Sequence, residues 1–327
     1  MPEKSILDYF IYAFTHLHRD EKNGGAPHQP ILLLSVIHEY ESGRINTNRI
    51  YITPELTHSF SVYWSALVTT NHTLGFALPF YHLNNAKGNW WQLVANPGCE
   101  IWLENKGSMK SFGNLNVAVA YAEIDNKLTD LLLRKETRQI LRQTLLSKYF
   151  PNQQTQPNVS EDGYVDGLLK DIVEESPAQY KAQIIDLKTR LDPETYQVEV
   201  YNRGAVFRRE IVKIYNETCC ISGVRVSATF TITMVDACHI MPFALHFNNS
   251  LTNGIALCPN LHRAFDRGLI AIDDNYRVIL SEAFTENVDS PFSFKQLEGQ
   301  QINLPKDKQF QPSLEGFAWH RMNTFKK

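Results

Sequence analysis

The sequence lacks the features that mark several specialised classes of protein. No apolar run reaches the ~20 residues of a membrane-spanning helix, and the N-terminal MPEKSILDYF has no basic segment leading into an apolar run. Only five cysteines are present, without the spacing of a disulfide scaffold, so we expect reduced thiols. These absences argue against a membrane protein and a disulfide-stapled domain, and they predict a cytoplasmic location.

A strong net charge is missing as well. The formal net charge is −3, so any contact with nucleic acid must come from local basic patches rather than from bulk attraction. Hydrophobic residues make up 43% and charged residues 20% of the 327 residues, which is an ordinary globular composition. A chain of this length predicts two domains, each large enough to bury its own core.

Charged residues are also absent from residues 56–86, an aromatic-rich stretch that is unusual unless much of it is buried. Upstream, apolar periodicity predicts one helix over residues 4–19 and a second from APHQPILLL to a stop at Gly43. The runs NWWQLV and EIWLE predict strands, and residues 127–149 predict a long basic amphipathic helix. We therefore expect a mixed α/β domain over residues 1–150.

A polar segment separates this domain from the rest of the chain. PNQQTQPNVSEDG is rich in Gln and Asn and interrupted by proline, which is typical of a linker. Helical periodicity then extends to about residue 190. We place a linker and connecting helix at residues 151–194 and a second domain at residues 195–327. The predicted fold class is α/β in the α+β sense, with an unrelated domain on each side of the linker.

The second domain contains the most informative pattern. TITMVDACHIMPF reads as a strand that ends near His239, NGIAL starts a second strand at Asn253, and PNLHRAFDRG reads as a helix that carries His262 and closes at Gly268. Strand, strand and helix in this order bring three polar side chains toward one point. Phosphodiester hydrolysis needs a base that activates water and a cation that stabilises developing charge, and these side chains fit those roles.

These motifs resemble the HNH family of His-Me finger nucleases, in particular its bacterial restriction-type branch, over roughly residues 200–285. The resemblance implies a ββα-metal endonuclease in which His239 is the general base and Asn253 orients the strand and the His239 ring. It also implies that His262 binds Mg²⁺ or another divalent cation such as Mn²⁺. Many relatives have Asp directly before the base, where this chain has Cys238, and we choose Asp236 as the second metal ligand.

Other residues near this motif have less specific interpretations. Many HNH proteins hold a structural zinc ion with two cysteine pairs, but Leu261 stands where a second cysteine would follow Cys258, so structural zinc is not expected. Asp266 is interpreted as part of a helix C-terminal pair. Three arginines on the preceding predicted helix are candidates for phosphate contacts, with simple solvation as the alternative. They are Arg203, Arg208 and Arg209.

Two short motifs in the first domain resemble the sulfur-binding domain of phosphorothioate-dependent HNH restriction enzymes, over about residues 5–110. They are APHQPILLL and LPFYHL. The resemblance implies that a pocket for modified phosphate on double-stranded DNA is formed by Pro27, His28, Gln29, Tyr81 and His82. Gln29 stands where the family has Arg, so another DNA modification is a competing target. A helix-start turn and a core segment are the alternative interpretation of the two motifs.

Together these features predict a metal-dependent endonuclease that cleaves modified, double-stranded DNA as part of bacterial defence. Two other classes fit the same residues. One is a catalytically silent DNA-binding protein that keeps the ββα unit as a scaffold, and the other is a toxin-like nuclease without DNA specificity. Cleavage of both strands requires two nuclease sites, which favours a homodimer.

Overall fold

The computed structural model describes residues 3–21, 24–104, 108–152, 162–226, 233–287, 290 and 292–326. Most of the predicted linker, residues 153–161, lies outside the described residues. The chain divides into two compact units, Met1–Val165 with Leu191–Asn202 and Asp166–Arg190 with Arg203–Lys327. Both units combine helices with short antiparallel strands, so the predicted α+β class is confirmed.

The N-terminal unit contains eight complete α-helices and a three-stranded sheet in its described part. The helices are α1 (Glu3–Thr15), α2 (His28–Glu41), α3 (Pro54–Leu67), α4 (Ala77–His82), α5 (Glu100–Glu104), α6 (Phe112–Ala118), α7 (Asn126–Leu133) and α8 (Lys135–Tyr149). The strands are β1 (Arg49–Ile50), β2 (Trp91–Ala95) and β3 (Val119–Ile124). β3 lies between β1 and β2 and is antiparallel to both.

The charge-free stretch forms a large part of the core of this unit. Phe60, Phe76 and Phe80 are each at most 1% exposed, and their rings meet at centroid distances of 5.3 and 5.6 Å. Trp91 of β2 extends this aromatic cluster, 5.2 Å from Phe80. Helix α2 runs through the same core with most of its side chains buried, which explains the unbroken apolar run ILLL in its sequence.

Two predicted elements of this unit are wrong. EIWLE is helix α5 rather than a strand, and its apolar side chains Ile101 and Trp102 are exposed instead of alternating between core and solvent. The predicted long helix is two helices, because Arg134 adopts an extended conformation between α7 and α8. The guanidinium of buried Arg138 donates hydrogen bonds to the carbonyls of Leu132 and Leu133, which satisfies the C-terminal end of α7.

The C-terminal unit is built mainly from the following elements. Its helices are α9 (Asp162–Glu174), α10 (Pro177–Arg190), α11 (Pro193–Ile214), α12 (Phe243–His246), α13 (Pro259–Asp266) and α14 (Leu314–Asn323), of which α9 and α11 begin in the first unit. Its strands are β4 (Asp236–His239), β5 (Gly254–Leu257), β6 (Ile270–Ile272) and β7 (Val278–Leu280). The pairs β4–β5 and β6–β7 are antiparallel hairpins. Within the described residues, no helix has the length and apolarity needed to cross a membrane.

Close packing fixes the β4–β5 hairpin and α13. The first strand of the motif is described from Asp236, while most of TFTITMV lies outside the described residues. The first residue of β5 is Gly254, and a larger residue would not fit there. A Cβ at this position would lie 2.4 Å from Ile211 and 2.8 Å from Phe207 of α11. Gly268 follows α13 with φ of +68°, the left-handed conformation typical of a helix C-terminus. The predicted strand, strand and helix are therefore present in that order.

Helix α14 fixes the other side of α13. The His320 ring stacks on Phe265 with centroids 3.8 Å apart, and its Nε2 lies 3.0 Å from the Phe265 carbonyl oxygen. A Cβ on Gly268 would lie 2.0 Å from the Thr324 carbonyl oxygen, so only glycine permits this approach. Helix α13, which carries His262, is thus packed between the β4–β5 pair and α14.

Candidate active site

The β4–β5 hairpin and α13 bring four chemically active side chains together. Strand alternation puts Asp236 and Cys238 on one face of β4, the face that meets His262 and Asp266 of α13. Residues four apart on a helix share a face, so His262 and Asp266 point the same way. All four side chains of this cluster therefore come from β4 and α13.

His262 lies between two carboxylates. Its Nδ1 is 3.5 Å from Oδ2 of Asp236, and its Nε2 is 3.4 Å from Oδ2 of Asp266. Ligand atoms of Cys238, His262 and Asp266 all lie within 4.8 Å of one another, close enough to share one cation. Asp266, which the sequence pattern assigned to a helix terminus, thus joins His262, while Asp236 lies on the opposite edge of the ring.

The Cys238 thiol contacts the Asp266 carboxylate. Its sulfur is fully buried and lies 3.7 Å from Oδ1 of Asp266, in position to donate a hydrogen bond. Burial and the adjacent Asp266 carboxylate raise the pKa of Cys238 well above its usual range, so the thiol stays protonated. The strongest donors are then imidazole nitrogen and carboxylate oxygen, a set that fits Mn²⁺ or Mg²⁺.

His239 ends β4 in a half-buried position. Its ring stacks on Phe207 of α11, with centroids 4.2 Å apart and planes 14° apart. Its Nε2 lies 2.9 Å from Oδ1 of Asn249. Because a carbonyl oxygen only accepts hydrogen bonds, Nε2 carries the proton and Nδ1 keeps its lone pair. Burial lowers the pKa of His239, so the ring is neutral at pH 7 and can accept a proton from water.

Asn253 fixes the loop that follows His239. It is buried, its Oδ1 accepts from the Met241 amide at 2.9 Å, and its Nδ2 donates to the carbonyls of Met241 and Asn248 at 3.0 Å. These bonds tie the end of β4 to the start of β5. Among the described residues, the hydrogen bond to the His239 ring is made with Asn249, and the role of Asn253 in orienting the strand and the ring stays a prediction.

A cleft of about 490 Å³ opens beside these residues. Its lining includes His239, His262 and Asp266, together with Arg208 from α11 and Phe243 from α12. The Arg208 side chain is exposed on α11, so a positive charge stands on the wall of the cleft. A predicted base, candidate metal ligands and the positively charged Arg208 therefore share one solvent-accessible space.

The other two arginines of α11 differ from each other. Arg203 is 5% exposed, and its guanidinium pairs with Asp171 at 3.0 Å and with Gln183 at 2.8 Å. The expectation that Arg203 contacts phosphate is therefore corrected, because its guanidinium is buried and paired with Asp171 inside the protein. Arg209 is exposed, with Nε 3.8 Å from Oε1 of Glu210, and stays a predicted phosphate contact.

The predicted pocket residues of the N-terminal unit separate into two groups. Gln29 and His82 line a cavity of about 840 Å³, whose wall also contains Arg19, Lys148 and Trp90. The remaining three residues do not line this cavity. They are Pro27, His28 and Tyr81.

These three residues have structural contacts instead. Pro27 is buried directly before α2, and the His28 ring lies 4.6 Å from Trp64 with its Nε2 2.9 Å from the Thr73 carbonyl. Tyr81 is 4% exposed and donates its hydroxyl hydrogen bond to the Leu103 carbonyl at 2.8 Å. The expectation that Tyr81 contacts DNA is therefore corrected, because its side chain is part of the core.

Comparison with known proteins agrees with the geometry of the C-terminal unit. Residues 219–273 match the family described as HNH endonuclease. A solved structure titled "Modification dependent TagI restriction endonuclease" matches with 18% identity and a TM-score of 0.29, over 36% of this chain and 37% of that chain. The comparison with curated proteins gave no match. Residues 219–273 are thus similar to an HNH endonuclease domain, and the chain spans about a third of the length of the solved structure that it matches.

Proposed function

We propose that the protein is a metal-dependent DNA endonuclease of restriction type, in which His239 activates the attacking water. One observation carries this proposal: the neutral His239 ring and the His262–Asp266 pair line the same cleft. Hydrolysis of a phosphodiester requires a base for the water and positive charge for the phosphate. The cleft offers both within one solvent-accessible space.

Each side chain has a defined task in this mechanism. His239 Nδ1 accepts the proton of the water, while the proton on Nε2 is held by Asn249. Asp236 lies 3.5 Å from His262 Nδ1, so it faces one edge of the ring while Nε2 faces Asp266. A divalent cation held by His262 and Asp266 would stabilise the charge of the scissile phosphate and of the leaving oxygen. Arg208 binds an adjacent phosphate.

We further propose that the N-terminal unit selects modified DNA through the cavity that Gln29 and His82 line. The wall combines the cations Arg19 and Lys148 with the aromatic face of Trp90. A phosphate in which sulfur replaces oxygen is larger and less well hydrated, so it gains from aromatic contact while its charge is held by cations. Gln29 lies in the first turn of α2, where the positive end of the helix dipole favours an anion.

Substitution Gln29→Arg tests this selection in the full chain, with His239→Ala added to prevent cleavage. We expect the parent to bind phosphorothioate duplex more tightly than a matched unmodified duplex. Gln29→Arg should widen that preference by ~1–3 kcal/mol, the size of one good specificity contact, because Gln29 stands where the sulfur-binding family has Arg. Binding is measured by titration of labelled duplexes, with methylated and hydroxymethylated duplexes in parallel.

Gln143→Arg is the matched control, since it adds the same charge to the exposed face of α8. It should strengthen binding to every duplex to the same small extent. Equal affinity for modified and unmodified DNA, with both arginine variants raising both alike, contradicts sulfur recognition. A preference for methylated or hydroxymethylated duplex instead identifies the competing target. Neither result affects the proposed nuclease mechanism.

A further inference from the structure

A chain of hydrogen bonds leads from His239 into helix α10. Asn249, 1% exposed in the loop before β5, presents Oδ1 to His239 and donates from Nδ2 to the hydroxyl of Tyr180 at 3.1 Å. Tyr180 is also 1% exposed, so no bulk water competes for either contact. A buried polar side chain with two fixed partners has little freedom to move.

Tyr180 is fixed in turn by a buried cation. The guanidinium of Arg203 lies 5.6 Å from the centre of the Tyr180 ring and pairs with Asp171 of α9 and Gln183 of α10. These contacts fix the Tyr180 end of the hydrogen-bond chain to helices α9, α10 and α11. All of the residues belong to the C-terminal unit, yet Asp171, Tyr180 and Arg203 precede the HNH match at residues 219–273.

The two ends of the Asn249 amide have opposite effects on a histidine. The oxygen accepts a proton from Nε2 and leaves the lone pair on Nδ1, whereas the NH₂ group would donate to Nε2 and force the proton onto Nδ1. The Tyr180 hydroxyl accepts from the NH₂ group and thereby leaves the oxygen for His239. The contact thus selects one tautomer of His239 and one position of its ring.

We propose that Asn249 and Tyr180 are positioning residues of the nuclease and that α10 belongs to its catalytic unit. Tyr180 acts on His239 only through Asn249. This inference rests on the proposed role of His239 as the base. It assigns a function to a segment that the sequence presents as a connecting helix, and it predicts that truncation before residue 195 removes part of the active site.

Kinetics of the full chain with plasmid DNA and saturating Mn²⁺ test the proposal. We expect Asn249→Ala to lower kcat by about 10- to 100-fold with KM unchanged, as is typical when a partner that orients an active-site histidine is lost. Asn249→Asp, which keeps an oxygen acceptor for Nε2, should retain more of kcat than Asn249→Ala. Tyr180→Phe should lower kcat as well, but the double variant Asn249→Ala/Tyr180→Phe should be no slower than Asn249→Ala alone.

Tyr276→Phe is the matched control, because it removes a hydroxyl hydrogen bond to the Pro312 carbonyl in the same unit but outside the chain of contacts. It should leave kcat unchanged, and thermal melting monitors the fold of every variant. The inference is overturned if the effects of Asn249→Ala and Tyr180→Phe multiply. If Asn249→Ala retains wild-type kcat while His239→Ala is inactive, the inference is overturned but the proposed function stands. Wild-type kcat in His239→Ala overturns the proposed function and the inference together.

Discussion

His239→Ala is expected to abolish DNA cleavage while leaving the fold and DNA binding nearly intact. The ring acts on water rather than on the duplex, so its loss removes proton transfer without removing a phosphate contact. General-base contributions are typically about 10²- to 10⁴-fold in rate. Single-turnover cleavage of plasmid DNA measures the loss, and gel-shift titration measures the binding that should persist.

His246→Ala provides the control for this variant. His246 ends α12 in the same segment of the chain, packs against Trp319, and does not line the cleft. It should cleave DNA at a rate close to that of the parent protein. Retention of wild-type cleavage by His239→Ala would remove His239 from the mechanism.

His262→Ala should weaken the response to metal together with the activity. Loss of the imidazole leaves Asp266 without its nitrogen partner, so a cation is held less tightly and more metal is required for half-maximal rate. Loss of residues that hold or orient a metal typically costs at least 10- to 100-fold in metal affinity or activity. The cleavage rate as a function of Mn²⁺ concentration gives the midpoint, and high metal should restore part of the rate.

Aspartate variants separate the two carboxylates beside His262. Asp266→Asn should raise the Mn²⁺ concentration for half-maximal rate more than Asp236→Asn does. Asp266 lies at Nε2 of His262, on the side of the proposed cation, whereas Asp236 lies at the opposite edge of the ring. Asp186→Asn, which removes an exposed charge on α10, should leave the midpoint unchanged. An unchanged midpoint in His262→Ala indicates that this histidine is structural rather than a ligand.

The ββα unit could be predicted from sequence because its signals are local. Strand alternation, Pro259 at the start of α13 and Gly268 at its end are read from neighbouring residues. The i, i+4 spacing of His262 and Asp266 in LHRAFD is a further local signal, because residues four apart on a helix share a face.

The remaining parts of the site depend on contacts that no local pattern encodes. Asn249 lies in an Asn-rich loop, and only its tertiary contacts with His239 and Tyr180 distinguish it from its neighbours. Arg203 looks like its neighbour Arg208 in sequence, yet one is buried by α9 and α10 and the other lines the cleft. Burial of a charge requires a partner from elsewhere in the chain, and the sequence does not show which partner arrives.

Cleavage of plasmid DNA by the purified wild-type chain, with Mn²⁺ or Mg²⁺ and with EDTA, tests the central claim most directly. The proposed mechanism predicts nicked and linear DNA with a divalent cation and intact supercoiled DNA with EDTA. A plasmid that carries phosphorothioate, methylated or hydroxymethylated sites is included, so that a requirement for modification is not mistaken for inactivity. Intact DNA under every metal and modification, from a folded protein that binds DNA, contradicts the claim and identifies the ββα unit as a scaffold.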